Sequence, residues 1–307
     1  MPFQKLTSTD AFVVTDLAGA PSSTGIVRRA RKILPDGAKL LARSTTYAWA
    51  VLGQQVGGAS AGVNAEDDAA EAALAAFVEE VAAQVADGTL SLDAGKGVPA
   101  TALGPLDAVD RRNGVRRTDG PHGSVDDELL AVGAVAAAAA ALGRLDGLTA
   151  VVEGAGTAGA AVEAALAAAG ARVVAPSAAG PLATAGDVLF CGSKTGLVDH
   201  VAAADLPHRV VVPVGPVPVT ARGLAVAHRR GVVVLPDFVT TGGPLLGWSA
   251  PEGTPLEDLA GTVRASVAEL VGRCLDHPEN PTLGGCAVAE DFLRSWQDEL
   301  PFGRPMA

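Results

Sequence analysis

Positive charge is scarce in this sequence. Its 307 residues include 23 Lys and Arg against 34 Asp and Glu, which gives a net charge of −11, and five of the residues are lysines. Because phosphate binding requires clustered Lys and Arg, this balance argues against nucleic acid as a partner. The densest basic runs, Arg28–Lys32 and Arg111–Arg117, are short, and we interpret them as solvated faces or structural ion pairs.

Cysteines and long apolar runs are also few. Cys191, Cys274 and Cys286 have the spacing of neither a zinc site nor a disulfide framework, which is typical of a reducing compartment. The first ten residues lack the apolar core of a signal peptide, and the apolar run Leu129–Leu142 is too short to span a bilayer. The histidines do not cluster. We therefore expect a cytoplasmic protein with no metal site and no membrane contact.

The chain contains enough hydrophobic residues to form the cores of two domains of ordinary size. Hydrophobic residues make up 49% of the chain and aromatic residues 4%, so small side chains are expected to pack helices closely on sheets. The first hundred residues mix short strand-like runs with a helical segment over Ala65–Asp87. Residues 104–126 are charged and rich in Gly, Pro and Asp, which predicts a linker before the second domain.

From Leu148 onward, apolar strand runs alternate with helices, a pattern typical of a parallel sheet covered on both faces. A GxGxxG motif lies between the first strand and the first helix. Its first glycine makes a tight turn, its second lets backbone approach a pyrophosphate, and its third lets the helix pack on the strand. The motif predicts a Rossmann-type domain whose cofactor contacts come from Gly154, Gly156, Thr157, Ala158 and Gly159.

The usual ribose-binding residue is missing from this predicted site. An Asp or Glu about 20 residues after the motif normally binds the 2′-hydroxyl. Here the second strand ends Val-Val-Ala-Pro-Ser-Ala, with no acid and no following Arg. Ser177 in that stretch is the remaining candidate, and Cys191 and Gly192 at the end of the next strand are further candidates for the cofactor edge. NAD and NADP stay open alternatives, as does a site that has lost its dinucleotide.

Five segments together resemble a known family: Leu41–Val63, Asp93–Gly97, Gly154–Gly159, Asp187–Gly192 and Leu235–Gly243. In order and character they are similar to the glutamate/leucine/phenylalanine/valine dehydrogenases, which interconvert L-amino acids and 2-oxo acids with NAD(P) and ammonia. The resemblance covers most of the chain. It implies an N-terminal α/β substrate domain (1–125), a Rossmann domain (126–270), and C-terminal helices (271–307) that return to the first domain. It also implies a homo-oligomer.

Both lysines on which the chemistry of that family depends are absent here. The stretch Leu41–Gly62 reads as a helix followed by a Gly-rich loop, GGASAG, that can close on a ligand. The resemblance puts the carboxylate-binding lysine at Ala48 and the catalytic lysine at Ser60. Gly57 and Gly58 would still line the substrate.

Other positions of the implied site are partly kept. Asp93 matches the proton-transfer Asp of the family and, with Tyr47 and Ser60, is a catalytic candidate. A carboxyl group without a nearby cation is expected to favour its neutral, proton-donating form. Arg28 and Lys96 could replace the missing cations, and Thr240, in Thr-Thr-Gly-Gly, matches a substrate-side turn.

In the turn Val214-Gly215-Pro216-Val217-Pro218, a proline stands where the family has an Asn that contacts the nicotinamide ribose. Further along the chain, Asp237 is expected to cap the edge of its strand or to hold a loop.

We expect an atypical NAD(P)-dependent oxidoreductase that acts on an imine or keto group of a small metabolite and is not an ordinary amino-acid dehydrogenase. Hydride transfer to a preformed imine or a ketone needs a bound nicotinamide and one proton donor, whereas ammonia-dependent amination needs the missing lysines. The alternatives are a non-redox or inactive relative that binds a small molecule or a biosynthetic partner enzyme, and a lyase or cyclase that uses no cofactor.

Overall fold

A computed structural model describes residues 1–112, 114 and 118–307. The chain forms two compact units. The first consists of Met1–Arg112 with Glu290–Pro305, and the second of residues 113–289 with Met306–Ala307. These bounds differ from the predicted domain ranges, which stay a prediction. Residues 113 and 115–117, within the basic run Arg111–Arg117, lie outside the described residues.

The first unit is built on a mixed five-stranded sheet in the order β1-β2-β4-β3-β5. Its strands are β1 (Phe3–Lys5), β2 (Ala11–Thr15), β3 (Ser23–Ala30), β4 (Gly57–Asn64) and β5 (Leu90–Ala94). Strands β3, β4 and β5 are parallel, and β1 and β2 are antiparallel to their neighbours. The helices are α1 (Pro35–Val51), α2 (Ala70–Ala86) and the short α3 (Gly104–Asp107).

Alternating side chains give this sheet two apolar faces. On one face, Val27 and Ala61 pack with Phe77 and other residues of α2. On the opposite face, Phe12 and Val14 pack with the small residues of α1. The one-turn spacing of the small residues in α1 lets this helix lie close to β4.

The predicted Gly-rich loop is a buried central strand. Residues 57–62 lie in β4, which pairs with β2 on one side and β3 on the other. A Cβ added at Gly58 would lie 1.8 Å from the carbonyl oxygen of Ala42 in α1. The glycines are therefore needed so that helix and strand can approach each other, and the loop prediction was wrong.

The second unit is built on a fully parallel sheet in the order β9-β8-β10-β11-β12. A short hairpin, β6 (Asp119–Gly120) and β7 (Gly123–Ser124), precedes helix α4 (Val125–Leu142). The five sheet strands are β8 (Thr149–Glu153), β9 (Arg172–Val173), β10 (Val188–Cys191), β11 (Val210–Pro213) and β12 (Val233–Val234). The intervening helices are α5 (Gly159–Ala168), α6 (His200–Ala204) and α7 (Ala221–Arg229).

Four more helices complete the chain: α8 (Asp237–Thr240), α9 (Gly243–Ser249), α10 (Leu256–Leu275) and α11 (Pro281–Leu293). Helix α11 contains the point where the chain passes from the second unit to the first. The predicted α/β fold with a Rossmann-type parallel sheet is confirmed.

Two negative findings apply to the described residues. None of their helices is long and apolar enough to cross a membrane. Nor do three of their His, Cys, Asp or Glu side chains come together where they could hold a metal ion.

Candidate functional site

The glycine motif of the second unit lies where strand order reverses. In chain order the sheet runs second-first-third-fourth-fifth, so the reversal falls between β8 and β10. Ligands of open parallel sheets bind at this point, beyond the carboxyl ends of the strands. Gly154 follows β8 directly and has φ +64°, and Gly156 has φ +59°. Both values lie in the left-handed region that favours glycine.

The three glycines of the motif have different surroundings. A Cβ added at Gly154 would lie 2.3 Å from the Cβ of Ser193, so this turn packs tightly on the segment after β10. At Gly156 and Gly159, an added Cβ would meet none of the described atoms within 4 Å. The expected close packing at the third glycine is therefore absent, and that role falls to the first.

Helix α5 begins beside this open space. Its N-terminal cap, Ala158, is buried, and no side chain among the described residues makes a capping hydrogen bond there. Gly156 and Thr157, which precede this cap, are exposed, and free space next to a helix N-terminus fits the pyrophosphate of a dinucleotide. The residues present therefore fit this part of NAD or NADP.

Two carboxylates border the glycine motif. Glu153 Oε2 accepts hydrogen bonds from the backbone N–H groups of Gly192 (3.2 Å) and Ser193 (3.3 Å). Thr157 Oγ1 donates to Asp127 Oδ1 at 2.7 Å. Negative charge close to a pyrophosphate weakens binding, so these residues favour modest affinity for a dinucleotide.

The remaining cofactor-binding candidates differ in their exposure to solvent. Ser177 is exposed in a tight turn, and its backbone N–H donates to Thr184 Oγ1 at 2.8 Å. The Cys191 side chain is fully buried in the core of the sheet, and burial, with the Glu153 charge, raises the pKa of its thiol. Its side chain thus serves packing, while cofactor contact through the nearby Gly192 backbone stays a prediction.

The turn after β11 is strained and held by an acid. Val217 has φ +49°, which a β-branched residue rarely adopts. Its backbone N–H donates to Asp237 Oδ2 at 2.9 Å. The expectation that Asp237 holds a loop is confirmed. Thr240, three residues later, is buried and donates from Oγ1 to the Pro213 carbonyl at 2.7 Å, so its side chain contacts the strand end.

In the first unit, two of the catalytic candidates share a face of the sheet. Ile26 of β3 is the register partner of both Ser60 in β4 and Asp93 in β5. Their Cα atoms are therefore two strand spacings apart, about 10 Å. Ser60 is fully buried, and its Oγ has no hydrogen-bond partner in the described part of the chain. Asp93 keeps 25% of its side chain exposed, so it is the better placed of the two for a ligand.

Asp93 is not an isolated acid. Arg112 Nη1 lies 2.6 Å from Asp93 Oδ2, and Arg112 Nη2 lies 3.1 Å from Oδ1. The same guanidinium also contacts Asp110. Burial alone would lower the pKa of Arg112, but the Asp93 and Asp110 carboxylates raise it above its usual value. The expectation that no cation lies near Asp93 was wrong, because Arg112 contacts both of its carboxylate oxygens.

Tyr47, in helix α1, contacts the C-terminal segment of the first unit. Its side chain is buried, and its hydroxyl donates to Glu290 Oε1 at 3.2 Å. Arg304 binds both oxygens of the same carboxylate, and the hydrogen bonds from Arg304 are the largest of several causes that lower the pKa of Glu290. These contacts give Tyr47 a structural role, and its catalytic role stays a prediction.

The substrate-side candidates are also dispersed. Gly57 and Gly58 are buried in β4, and the Gly58 N–H donates to Thr46 Oγ1 of α1 at 2.9 Å. Lys96 is exposed in the turn after β5, where its carbonyl accepts from the Arg29 N–H at 3.0 Å. Arg28 lies in β3 on the same face as Asp93, and the Nε and Nη2 atoms of its guanidinium are buried.

Sequence comparison finds no match: neither a protein-family model nor a curated protein matches this chain. Solved structures do match. The hetero-hexameric glutamate dehydrogenase of Thermus thermophilus, in its Leu-bound form, is 17% identical with a TM-score of 0.79, over 95% of this chain and 86% of that chain. The L-tryptophan dehydrogenase of Nostoc punctiforme is 15% identical with a TM-score of 0.70, over 97% of each chain.

A glutamate dehydrogenase of Plasmodium falciparum is 14% identical with a TM-score of 0.75, over 93% of this chain and 79% of that chain. This chain has the fold of the amino-acid dehydrogenases. The predicted resemblance is confirmed at the level of fold. Sequence identities this low do not show that two proteins share an activity. What the chain does has to be argued from its own residues.

Proposed function

We propose that this chain is an NAD(P)-dependent oxidoreductase that acts on the imine or keto group of a small metabolite and is not an ordinary amino-acid dehydrogenase. The observation that carries the proposal is the geometry of Gly154–Gly159: two left-handed glycines and open space before α5, at the point where strand order reverses. A bound nicotinamide would supply or accept the hydride.

The first unit would supply the proton-transfer group. Asp93 is partly exposed, and Arg112 holds its carboxylate at two points. A carboxylate positioned in this way suits a base that takes a proton from a hydroxyl or amine substrate, and its protonated form returns the proton in the reverse direction. Arg112 therefore acts as a positioning residue for Asp93.

The missing lysines limit the reaction. Ala48 and Ser60, at the two lysine positions of the family, are both buried, so neither position presents a cation to a substrate. Losing a preorganised charge typically costs about 10²–10⁴ in rate, and ammonia-dependent amination depends on both lysines. Reduction of a preformed imine or of a ketone requires fewer groups. We also expect a homo-oligomer. The Thermus neighbour, which is described as hetero-hexameric, supports the expectation of an oligomer but not of identical subunits.

Two substitutions of Gly159 test the proposal without disturbing the fold. This glycine has an ordinary helical φ of −54°, and an added Cβ there meets no described atom within 4 Å. Gly159→Ala should retain NADH or NADPH binding and improve helix propensity. Gly159→Glu is favoured by the helix dipole, yet its charge would oppose the pyrophosphate. We expect Gly159→Glu to weaken nicotinamide binding at least about tenfold, or 1.4 kcal/mol, in calorimetric titrations. Equal affinity in both variants would contradict a site at this turn.

A non-redox relative that binds a small molecule or a partner enzyme is the second candidate. It is favoured by the acids beside the motif, Glu153 and Asp127, and by the lack of an acid after β9. Wild-type protein that binds neither NADH nor NADPH would select this candidate.

A further inference from the structure

Phe302 is an aromatic side chain that is fully exposed to solvent. Its exposed fraction is 101%, the highest among the large hydrophobic side chains of the described residues. Removing such a ring from water is favourable, and this gain is unused in a single chain. Aromatic residues are enriched in the cores of protein interfaces, whereas a lone exposed ring can also be accidental. The surroundings of Phe302 therefore decide whether it has a partner.

The backbone that carries Phe302 is fixed, so its ring projects from a defined point. Arg43, whose side chain is buried, donates from Nη1 to the carbonyl oxygens of Phe302 (2.6 Å) and Gly303. Two residues after Phe302, Arg304 binds both carboxylate oxygens of Glu290, at 2.6 and 2.9 Å. A segment that is already ordered loses little conformational freedom when it binds a partner, so this ring is presented at low cost.

A cavity of about 760 Å³ adjoins Phe302 within the first unit. Its apolar lining comes from the start of the chain, the loop after β2, helix α1 and the segment after α11: Met1, Leu17, Leu40, Leu300 and Pro301. Phe302 lies on its rim, but a ring that is fully exposed does not fill the space. The ring of a second molecule can enter this cavity, because the exposed aromatic group and an apolar receptor for it lie on one surface.

Two opposite charges on the same rim favour a second copy of this chain as the partner. Lys39 and Glu299 both line the cavity, and both are accessible to solvent. In a two-fold contact the same patch of both subunits meets itself in the reverse sense, so Lys39 can meet Glu299 of the partner subunit twice. The ion pair of Lys39 with Asp36 is exposed and therefore weak, so it competes little with such a contact.

We propose that this surface is a two-fold interface between copies of this chain, in which the Phe302 ring of each copy enters the cavity of the other. Both rings are buried by the contact, and Lys39 pairs with Glu299 of the partner subunit at two symmetric points. The inference goes beyond the proposed oxidoreductase chemistry, which does not depend on it. It names the surface through which the expected homo-oligomer associates.

Sedimentation equilibrium of wild type, Phe302→Ser and Val201→Ser tests the role of the ring. Val201 is the matched control, because it is an exposed apolar side chain (63%) of helix α6 in the second unit. Wild type should contain an even number of chains, and Phe302→Ser should weaken their association at least about tenfold. Val201→Ser should associate like wild type. Circular dichroism should show that dissociated Phe302→Ser is folded, because the ring is fully exposed within one chain.

A charge reversal tests the pairing across the two-fold axis. Lys39→Glu and Glu299→Lys should each weaken association, because like charges would then face each other. The double variant should associate nearly as tightly as wild type, since both pairs re-form with reversed signs. Recovery in the double variant cannot come from a loss of folding, so this experiment separates pairing from general damage.

The outcomes that overturn the proposal are distinct. A wild-type chain that stays monomeric up to millimolar concentration would refute both the interface and the expected homo-oligomer. An assembly that Phe302→Ser leaves intact would refute the interface alone, as would a double charge variant that associates more weakly than either single variant. Dissociation by Phe3→Ser in place of Phe302→Ser would assign the contact to the exposed edge strand β1 and also overturn the proposal.

Discussion

Arg112 binds Asp93 at two points, with Nη1–Oδ2 at 2.6 Å and Nη2–Oδ1 at 3.1 Å. It also contacts Asp110, whose side chain is almost fully buried. One guanidinium thus serves two carboxylates. Removing it would leave both of them in a partly dry environment without this partner.

Arg112→Met should therefore reduce the free energy of unfolding by about 3–5 kcal/mol, because two carboxylates, one of them almost fully buried, would lose this counter-charge. Urea unfolding measures the loss. Arg112→Lys keeps the charge but not the two-point geometry, so it should recover only part of the stability. A loss below about 1 kcal/mol in Arg112→Met would mean that the pair is no stronger than an exposed ion pair.

Arg43 offers a second arginine for comparison with Arg28. It forms a buried ion pair with Asp16 at 2.7 Å and donates to the carbonyl oxygens of Phe302 and Gly303. Arg43→Met should thus destabilise the protein by about 3–5 kcal/mol in urea unfolding. Arg28→Met should not, because Nε and Nη2 of Arg28 have no hydrogen-bond partner in the described residues, although both substitutions remove an arginine from the same unit. Similar losses in the two variants would show that Arg28 has a structural partner after all.

Ser60 tests whether a buried hydroxyl contributes to the fold. Its Oγ is fully buried and has no hydrogen-bond partner within the described ranges. Ser60→Ala should leave the free energy of unfolding unchanged or raise it by up to about 2 kcal/mol, since an unsatisfied polar atom is removed. Ser60→Lys should fail to fold or lose several kcal/mol, because its charge would be buried beneath α1. Thermal and urea unfolding of both variants give the answer, and a tolerated Ser60→Lys would contradict this placement.

His208 should make stability depend on pH. It is buried, and neither ring nitrogen makes a well-formed hydrogen bond with the described residues. Burial lowers its pKa from the usual 6.5, and a contact with the Thr184 backbone opposes only part of this shift. As pH falls below about 6.5, the unfolded chain takes up a proton that the folded protein resists. Stability should therefore fall by up to about 1.4 kcal/mol per pH unit.

Urea unfolding at several pH values between about 7.5 and 5.5, the range around the pKa of a free histidine, measures this slope. His208→Leu should flatten it, while the exposed His228→Gln should not. An unchanged slope in His208→Leu would assign the pH dependence to other groups.

Oxidative deamination of glutamate, leucine, valine or phenylalanine should not be detectable with either nicotinamide at ordinary enzyme concentrations. The physical reason is the absence of both lysines, since Ala48 and Ser60 occupy their positions. Turnover near about 10 s⁻¹, a typical enzyme rate, would show that another cation performs their role.

The sequence was most informative where a pattern has a single physical cause. Gly154–Gly159 between a strand and a helix predicted the parallel sheet and its ligand edge, because those glycines need left-handed backbone there. Gly57–Gly62 was misread, because glycines that allow helix α1 to approach β4 are indistinguishable in sequence from those of a loop.

The Asp93–Arg112 pair could not be predicted either. The two residues are 19 positions apart, and no periodicity connects the end of β5 to the segment after α3. The basic run that contains Arg112 did suggest structural ion pairs, but its sequence does not name their partners. Arg28 was visible as a cation, yet only its buried, unpartnered edge separates it from Arg29, which pairs with Asp67.

The most direct test of the redox assignment is a titration of wild-type protein with NADH and with NADPH, followed by fluorescence or calorimetry. The open turn before α5 predicts saturable binding of at least one of them. Because no acid or arginine follows β9 to distinguish the 2′-hydroxyl from a 2′-phosphate, the two affinities should differ by less than about 100-fold, or 2.7 kcal/mol. Absence of saturation by both nicotinamides at millimolar concentration would contradict the assignment.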